Sequence, residues 1–156
     1  MTSTRRRSWA DLSATYRAPL RSRDDTVDHA AAVSWALARG VVAVGGRLGE
    51  VPCSLSEAVA AVAREHGSRV ADRLERFAAV PVGSTMWTRH PDGDLWVGVV
   101  TGRWSFDDSP DAAAFDLQHT RPCEWSEEPV SPGRAPAAVL ETFARGGRNF
   151  QRIRRL

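Results

Sequence analysis

The sequence predicts an α+β fold of mixed strands with flanking helices. A β-hairpin is indicated by two runs of strand-forming residues, 85–89 and 95–100, on either side of a Pro-Asp-Gly-Asp turn. Upstream of it, a capping box and helical spacing of apolar residues predict two consecutive helices between residues 55 and about 77. At 156 residues the chain has the size of one domain.

The N-terminal 27 residues are polar, rich in arginine and without hydrophobic periodicity. They are predicted to form a flexible basic arm with one short helix around Trp9 to Tyr16. A single folded domain is expected over residues 28–156. Its first part, residues 30–44, has two short apolar stretches around Gly40, which predict two strands, with a helix as the alternative for the first.

Start and stop signals define the two helices. Ser54 and Glu57 form a capping box that begins a helix at Leu55, and Gly67 is expected to end it near His66. The next serine begins the second helix. We expect this pair to cover one side of a sheet.

The segments after the hairpin alternate between loops and regular elements. Residues 107–111 are predicted to be a loop and 114–125 a strand. A Pro/Gly-rich loop over 129–136 precedes a short helix over 137–144 and a last strand over 149–153.

Every basic residue among the 21 Lys+Arg is an arginine, so mechanisms that need a Schiff-base or P-loop lysine are excluded. The charge is uneven: residues 1–26 hold six arginines against three aspartates, and the last twelve residues hold five arginines and no acid. Basic ends suit an anionic partner such as nucleic acid. A solvated tail is the alternative, and we favour it for the N-terminal run.

Compartment and redox state follow from what the sequence lacks. No apolar run approaches the roughly 18 residues of a membrane span. Arg5 to Arg7 precede a polar segment rather than the apolar core of a secretion signal, so a cytoplasmic protein without membrane contact is expected. Cys53 and Cys123 are far apart and are predicted to be buried thiols without a disulfide.

Catalysis has no supporting motif. The histidines fall on separate elements, and only His119 with Cys123 has a spacing that suggests a shared metal, whereas zinc needs three or four ligands. The acidic loop at Asp107, Asp108 and Asp111 is predicted to be solvated. No nucleophile elbow, P-loop, Rossmann fingerprint or zinc-deaminase signature is present. We therefore expect no enzyme, no metal and no cofactor.

Residues 86–106 hold three of the six tryptophans in one short segment. Strand alternation places Trp87 and Arg89 on one face and Met86 and Thr88 on the other. An indole beside a guanidinium can hold an unstacked base and its phosphate, since stacking contributes about 1–3 kcal/mol per base. Each tryptophan taken singly is more typical of a core, but we do not expect all of them to be core residues.

The order of motifs resembles the EVE-like branch of the PUA superfamily over roughly residues 29–154. The matching pieces are Trp87-Thr88-Arg89, Gly98-x-x-x-Gly102-x-Trp104, Phe115-Asp116, Arg121-Pro-x-x-Trp125 and Asn149-Phe-Gln-Arg-Ile153. This resemblance implies a PUA-like mixed β pseudo-barrel with flanking helices that binds nucleic acid. Several prokaryotic members read modified bases for modification-dependent restriction, and related YTH domains hold a methylated base in an aromatic cage.

The resemblance also implies site residues, with Trp35 and Trp104 as the stacking walls. The residues expected to contact the base are Trp35, Trp87, Thr88, Arg89, Trp104 and Gln151. Those expected to contact phosphates are Arg103, Arg121, Arg148 and Arg152. Between residues 46 and 80 the helical pair is longer than in compact members, which reshapes the pocket entrance.

The sequence thus predicts a non-catalytic module that flips a modified base of DNA or RNA into an aromatic pocket. No nuclease domain is recognised, so a separate nuclease or defence protein is the expected second partner. The alternative is a protein-interaction module, since tryptophan and arginine are also enriched at interface hot spots.

Overall fold

The computed structural model describes residues 14–154, which form the predicted α+β fold, built around one curled, half-barrel sheet. The strands are β1 (Thr15–Arg17), β2 (Val41–Val44), β3 (Thr85–Arg89), β4 (Leu95–Val100), β5 (Ser105–Phe106), β6 (His119–Trp125) and β7 (Gln151–Ile153). The α-helices of this part of the chain are α1 (His29–Arg39), α2 (Leu55–His66), α3 (Ser68–Ala79), α4 (Pro110–Phe115) and α5 (Ala137–Ala144).

The strands follow the order β2-β6-β4-β3-β1-β7, and β5 also pairs with β6. Every neighbouring pair is antiparallel except β1 and β3, which are parallel. Residues 119–122 of β6 pair with β2, whereas residues 123–125 pair with β4. This strand therefore joins the two halves of the sheet.

The strongest local signals are confirmed. The hairpin pairs β3 with β4 in a register that sets Trp87 opposite Val97. The Ser54 hydroxyl accepts a hydrogen bond from the backbone N–H of Glu57 at 3.1 Å, so the N-terminal half of the predicted capping box is formed. Helices α2, α3 and α5 and strand β7 also lie where the sequence predicts them.

The first apolar stretch of the domain is a helix, which was the alternative prediction. Asp28 caps its N-terminus by accepting from the N–H of Ala31 at 3.1 Å. Gly40 ends it with φ of +72°, a left-handed conformation that favours glycine. The alanine-rich composition and these two caps outweigh the β-branched residues of the stretch.

The predicted arm boundary at residue 27 is wrong, because residues 14–27 belong to the folded domain. Strand β1 lies between β3 and β7, and Ala18 and Leu20 directly after it are buried. The short helix predicted around Trp9 to Tyr16 is not formed at residues 14–16, and its other residues lie outside the described part. A three-residue strand offers too few positions for periodicity to reveal it.

The segment before β6 also differs from the prediction. Strand β5 was not predicted, and helix α4 occupies residues assigned to a loop and to the start of a strand. Ser109 caps α4 by accepting from Ala112 N–H, Pro110 begins it, and Asp116 ends it in a left-handed conformation. These capping signals shorten the predicted strand to β6.

Buried apolar residues form two clusters. The larger one holds the inner faces of α1, α2 and α3 together with Met86 of β3. The smaller one holds Trp87, Leu95 and Ile153 of the sheet and Val139 and Phe143 of α5. Met86 and Trp87 enter different clusters because side chains alternate along a strand.

Arg17 of β1 is a buried charge without a carboxylate partner among the described residues. Its guanidinium donates to the carbonyl oxygens of Thr142 at 3.0 Å, Gly146 at 2.7 Å and Asn149 at 3.1 Å. It therefore satisfies the end of α5 and the loop that leads into β7.

We expect Arg17→Met to lower the free energy of unfolding by about 2–4 kcal/mol, since three carbonyls lose a charged donor. Urea denaturation followed by circular dichroism measures this change. Arg154→Gln, at an exposed position, serves as control and should stay within about 0.5 kcal/mol. Equal stability of the two variants would show that the Arg17 bonds do not support the fold.

Candidate functional site

A cavity of about 130 Å³ opens on the side of the sheet that α3 covers. This is many times the roughly 10–15 Å³ that one water needs, so a small planar group has space there. Apolar side chains form much of the wall: Leu20, Val44, Leu74, Leu117 and Phe150.

Two local features shape the wall. After β2 the chain passes through Gly45 and Gly46, and a Cβ on Gly46 would lie 3.3 Å from Val62 and 3.4 Å from His119, so only glycine fits comfortably. Phe150 stacks on Tyr16 with ring centroids 5.0 Å apart and also packs edge-on against an aromatic ring of α3. The aromatic wall is therefore held rigidly by the core.

The cavity is also where the backbone is strained. Within residues 14–154, the non-glycine residues with positive φ are Leu20 at +53° and Asp116 at +57°, and both line the cavity. Left-handed backbone costs an L-residue about 1–2 kcal/mol, and such residues cluster at ligand sites. The Asp116 carboxylate accepts from Ser22 Oγ at 2.8 Å and from Gly46 N–H at 3.2 Å, which joins two walls.

The charge around the cavity is predominantly positive. Its lining includes the arginines Arg21, Arg23, Arg73 and Arg148, against the single carboxylate of Asp116. Burial lowers the pKa of Arg73, and the nearby arginines lower it further, but a guanidinium stays charged at neutral pH. Arg148 is ion-paired with Asp25, so the positive charge of the rim comes from Arg21, Arg23 and Arg73, for which residues 14–154 hold no ion-pair partner.

The residues predicted at the pocket mouth have the predicted alternation, but Trp87 and Thr88 are buried, and Arg89 is exposed without lining the cavity. Trp87 is 7% exposed and belongs to the smaller core cluster. It is thus a core residue, which was the alternative prediction for each tryptophan. The Arg89 guanidinium lies 5.7 Å from the ring centroid of Phe143, on the same side of the sheet. Thr88 is fully buried, and its hydroxyl has no partner among the described residues. Helix α5 covers Trp87, so no mouth opens there.

The two predicted stacking walls lie elsewhere as well. Trp35 is half-buried on α1 and packs against Phe115 with centroids 5.9 Å apart. Trp104 is half-buried and donates from Nε1 to His119 Nδ1 at 3.4 Å. Neither lines the cavity, whose aromatic wall is Phe150 instead.

Among the predicted phosphate contacts, Arg148 lines the cavity and Arg121 does not. Arg121 is buried and donates to the carbonyls of Phe77 at 2.9 Å and Gly102 at 2.8 Å, so it closes the end of α3 and is not free for a phosphate. The remaining predicted residues are exposed but do not line the cavity: Arg103, Gln151 and Arg152.

Ser34, His90 and Asp92 have the order of a catalytic triad. Ser34 Oγ lies 3.2 Å from His90 Nε2, and His90 Nδ1 lies 3.2 Å from an Asp92 carboxylate oxygen. However, Nδ1 accepts the Asp92 backbone N–H at 3.1 Å, so in the neutral ring Nε2 carries the proton and donates to the serine. A nucleophilic serine requires the reverse direction.

Metal sites and reactive thiols are the other sources of chemistry in a chain of this composition. Residues 14–154 place no group of three or more His, Cys, Asp or Glu around a possible metal ion. No helix in this range is long and apolar enough to cross a bilayer. Both cysteines are free; burial raises the pKa of Cys123 to about 12, whereas Cys53 is exposed, contrary to its prediction.

The sequence reasoning missed most of the cavity, including Leu20, Arg73, Asp116 and Phe150. One signal was available: Gly45-Gly46 directly after a strand indicates close approach of the backbone to another group. The other lining residues come from distant segments and share no local pattern.

Comparisons of this chain with protein-family models, curated proteins and solved structures give no match. Its functional assignment therefore depends on the geometry of the cavity and on the sequence motifs.

We expect stability to fall as the pH is lowered below 6.5, the ordinary pKa of histidine. Burial lowers the pKa of His119, although its hydrogen bond to the Gly46 carbonyl at 2.8 Å opposes this, and burial likewise lowers the pKa of His29. Below pH 6.5 the unfolded chain binds protons at these histidines more readily than the folded protein does. Their contribution to the free energy of unfolding is therefore complete above pH 6.5 and is lost as the pH falls towards the lower pKa of the folded state.

Urea denaturation at pH 7.5 and pH 5.5 tests this expectation. His119→Gln should be less stable than the natural protein at pH 7.5 but should lose less stability between the two pH values. The same loss in both proteins would show that His119 does not contribute to the pH dependence.

Proposed function

We propose that the protein is a non-catalytic nucleic-acid-binding module that takes one base into the cavity beside Phe150. The observation that supports this best is the joining of an apolar cavity to a rim of four arginines. A nucleotide has the same combination, because a flat base lies next to a charged phosphate.

In this proposal the base enters the cavity and stacks on Phe150, among apolar lining residues that include Leu74 and Leu117. Stacking returns about 1–3 kcal/mol, which offsets the few kcal/mol needed to extrude a base from a duplex. The Asp116 carboxylate and the Asn149 amide supply polar groups for the base edge. An extra methyl group buried against the apolar wall adds about 0.8 kcal/mol, which favours a modified base.

The finer fold and the biological setting are part of the same proposal. The curled sheet with flanking helices is compatible with a PUA-like pseudo-barrel, and the order of motifs resembles the EVE-like branch. We infer a cytoplasmic protein that acts with a separate nuclease or defence protein in modification-dependent restriction. The proposal applies to DNA and to RNA alike.

A protein-interaction module fits the surface less well. The large hydrophobic residues exposed within residues 14–154 are Val51, Val82 and Val99, and no tryptophan of this range is fully exposed. Interface hot spots need accessible aromatic anchors, and the described part of the chain offers no fully exposed aromatic side chain of this kind.

The variant Val70→Phe tests the base-binding cavity. Val70 is half-buried on α3 and lines the cavity, so a larger ring there should occupy the space of the base. We expect the affinity for the preferred oligonucleotide to fall about tenfold or more, since one stacked base contributes about 1–3 kcal/mol.

Fluorescence anisotropy at low salt, with labelled DNA and RNA oligonucleotides that carry unmodified or methylated bases, measures the affinity. Val82→Phe adds the same ring at an exposed position outside the cavity and should bind as the natural protein does. Lack of binding to every oligonucleotide, or equal affinities of both variants, would refute the proposal.

A further inference from the structure

Helix α3 turns a row of arginines away from the core. Arg69, Arg73 and Arg76 follow one another at i, i+4 and i+7, so they share one face of the helix. The residues that α3 buries in the larger core cluster lie on a different face: Ala71, Leu74 and Phe77. The row therefore has a structural support beneath it and solvent above it.

Within residues 14–154 these three arginines form no ion pair. Arg69 and Arg76 are exposed and Arg73 is half-buried, whereas the arginines that form ion pairs in this range are Arg39, Arg47 and Arg148. By the same spacing, Asp72 neighbours both Arg69 and Arg76 on the helix surface, without an ion pair to either within residues 14–154, whereas Glu75 lies further round the helix, beyond Asp72.

The row also leads directly to the cavity. Arg73 lines the cavity together with Arg23 from the segment after β1. The positive charges of Arg23, Arg76 and Arg69 act on Arg73 and add to the effect of burial in lowering its pKa. Four guanidinium groups are therefore concentrated beside one cavity entrance.

We propose that Arg69, Arg73 and Arg76 form a phosphate track for the nucleic-acid strand whose base enters the cavity. This inference rests on the proposed function. The track is about 10 Å long at 1.5 Å per residue, enough to contact two successive phosphates of one strand. Arg73 belongs to both sites, so the strand leaves the cavity along α3.

The track and the cavity should control different properties. Phosphate contacts hold a strand in register but do not read its bases, and each contact contributes to the salt dependence of binding. Loss of the outer arginines should thus weaken binding to all oligonucleotides equally. The preference between modified and unmodified bases should remain.

The test compares two double variants of the full chain with equal loss of charge. Arg69→Gln with Arg76→Gln removes the ends of the track and leaves the cavity lining intact. Arg64→Gln with Arg134→Gln removes two exposed arginines that do not line the cavity, one on α2 and one in the turn before α5. The probes are fluorescein-labelled 20-nucleotide single strands, one unmodified and one with a single 5-methylcytosine, titrated between 25 and 200 mM NaCl.

We expect the track variant to bind both probes about tenfold more weakly at 50 mM NaCl. Its slope of log affinity against log salt should fall by about 1.4, which is two contacts at about 0.7 each for single strands. The ratio of the two affinities and the behaviour of the control variant should not change.

Equal salt slopes for the two double variants would overturn the track. Displacement of the probe by polyglutamate as readily as by unlabelled oligonucleotide would also overturn it, in favour of an acidic protein partner. If Val70→Phe leaves the affinities unchanged while the track variant still loses slope, the base cavity fails and the track stands.

Discussion

The fold depends on the insertion of β1 between β3 and β7. This strand has only three residues, yet it pairs with β3 on one side and with β7 on the other. Its last residue, Arg17, donates to three carbonyls at the end of α5 and in the following loop, so the C-terminal segment is fixed in place. The chain then continues through the strained Leu20 into one wall of the cavity. The sheet and the candidate site therefore share a single support.

The sequence predicted elements whose signals are local. Helices α2 and α3 and the β3–β4 hairpin are specified by caps, turn residues and spacing within about a dozen residues of each other. Strand β1 and the cavity depend on contacts between distant segments: Thr15 pairs with Thr85, and Asp116 holds Gly46 from 70 positions away. No window of a single sequence contains both partners, so neither feature has a local signature.

The tryptophan-rich segment shows that several aromatic residues in one short stretch do not by themselves indicate an open binding site. Alternation correctly assigned Trp87 and Arg89 to one face of β3, but it does not specify what packs on that face. Helix α5, about fifty residues further along the chain, covers Trp87 and makes it a core residue. Arg121 is similar, because a strand arginine that satisfies buried carbonyls cannot be told by sequence from one that faces solvent.

The walls of the cavity are held in place by packing and by hydrogen bonds. Phe150 stacks on Tyr16 and makes a T-shaped contact with Phe77, and the Asp116 carboxylate fixes the Gly46 backbone and Ser22. A site whose groups are ordered in advance does not pay for ordering them on binding, so more of the contact energy remains as affinity. A rigid cavity fits the proposal that one site selects the base and another holds the strand. The cavity can discriminate between bases only if the strand is held close to it by contacts that do not depend on base sequence. The arginines of α3 lie on the same helix that forms part of the cavity wall. In this proposal one rigid helix therefore supports both the selection of the base and the binding of the strand.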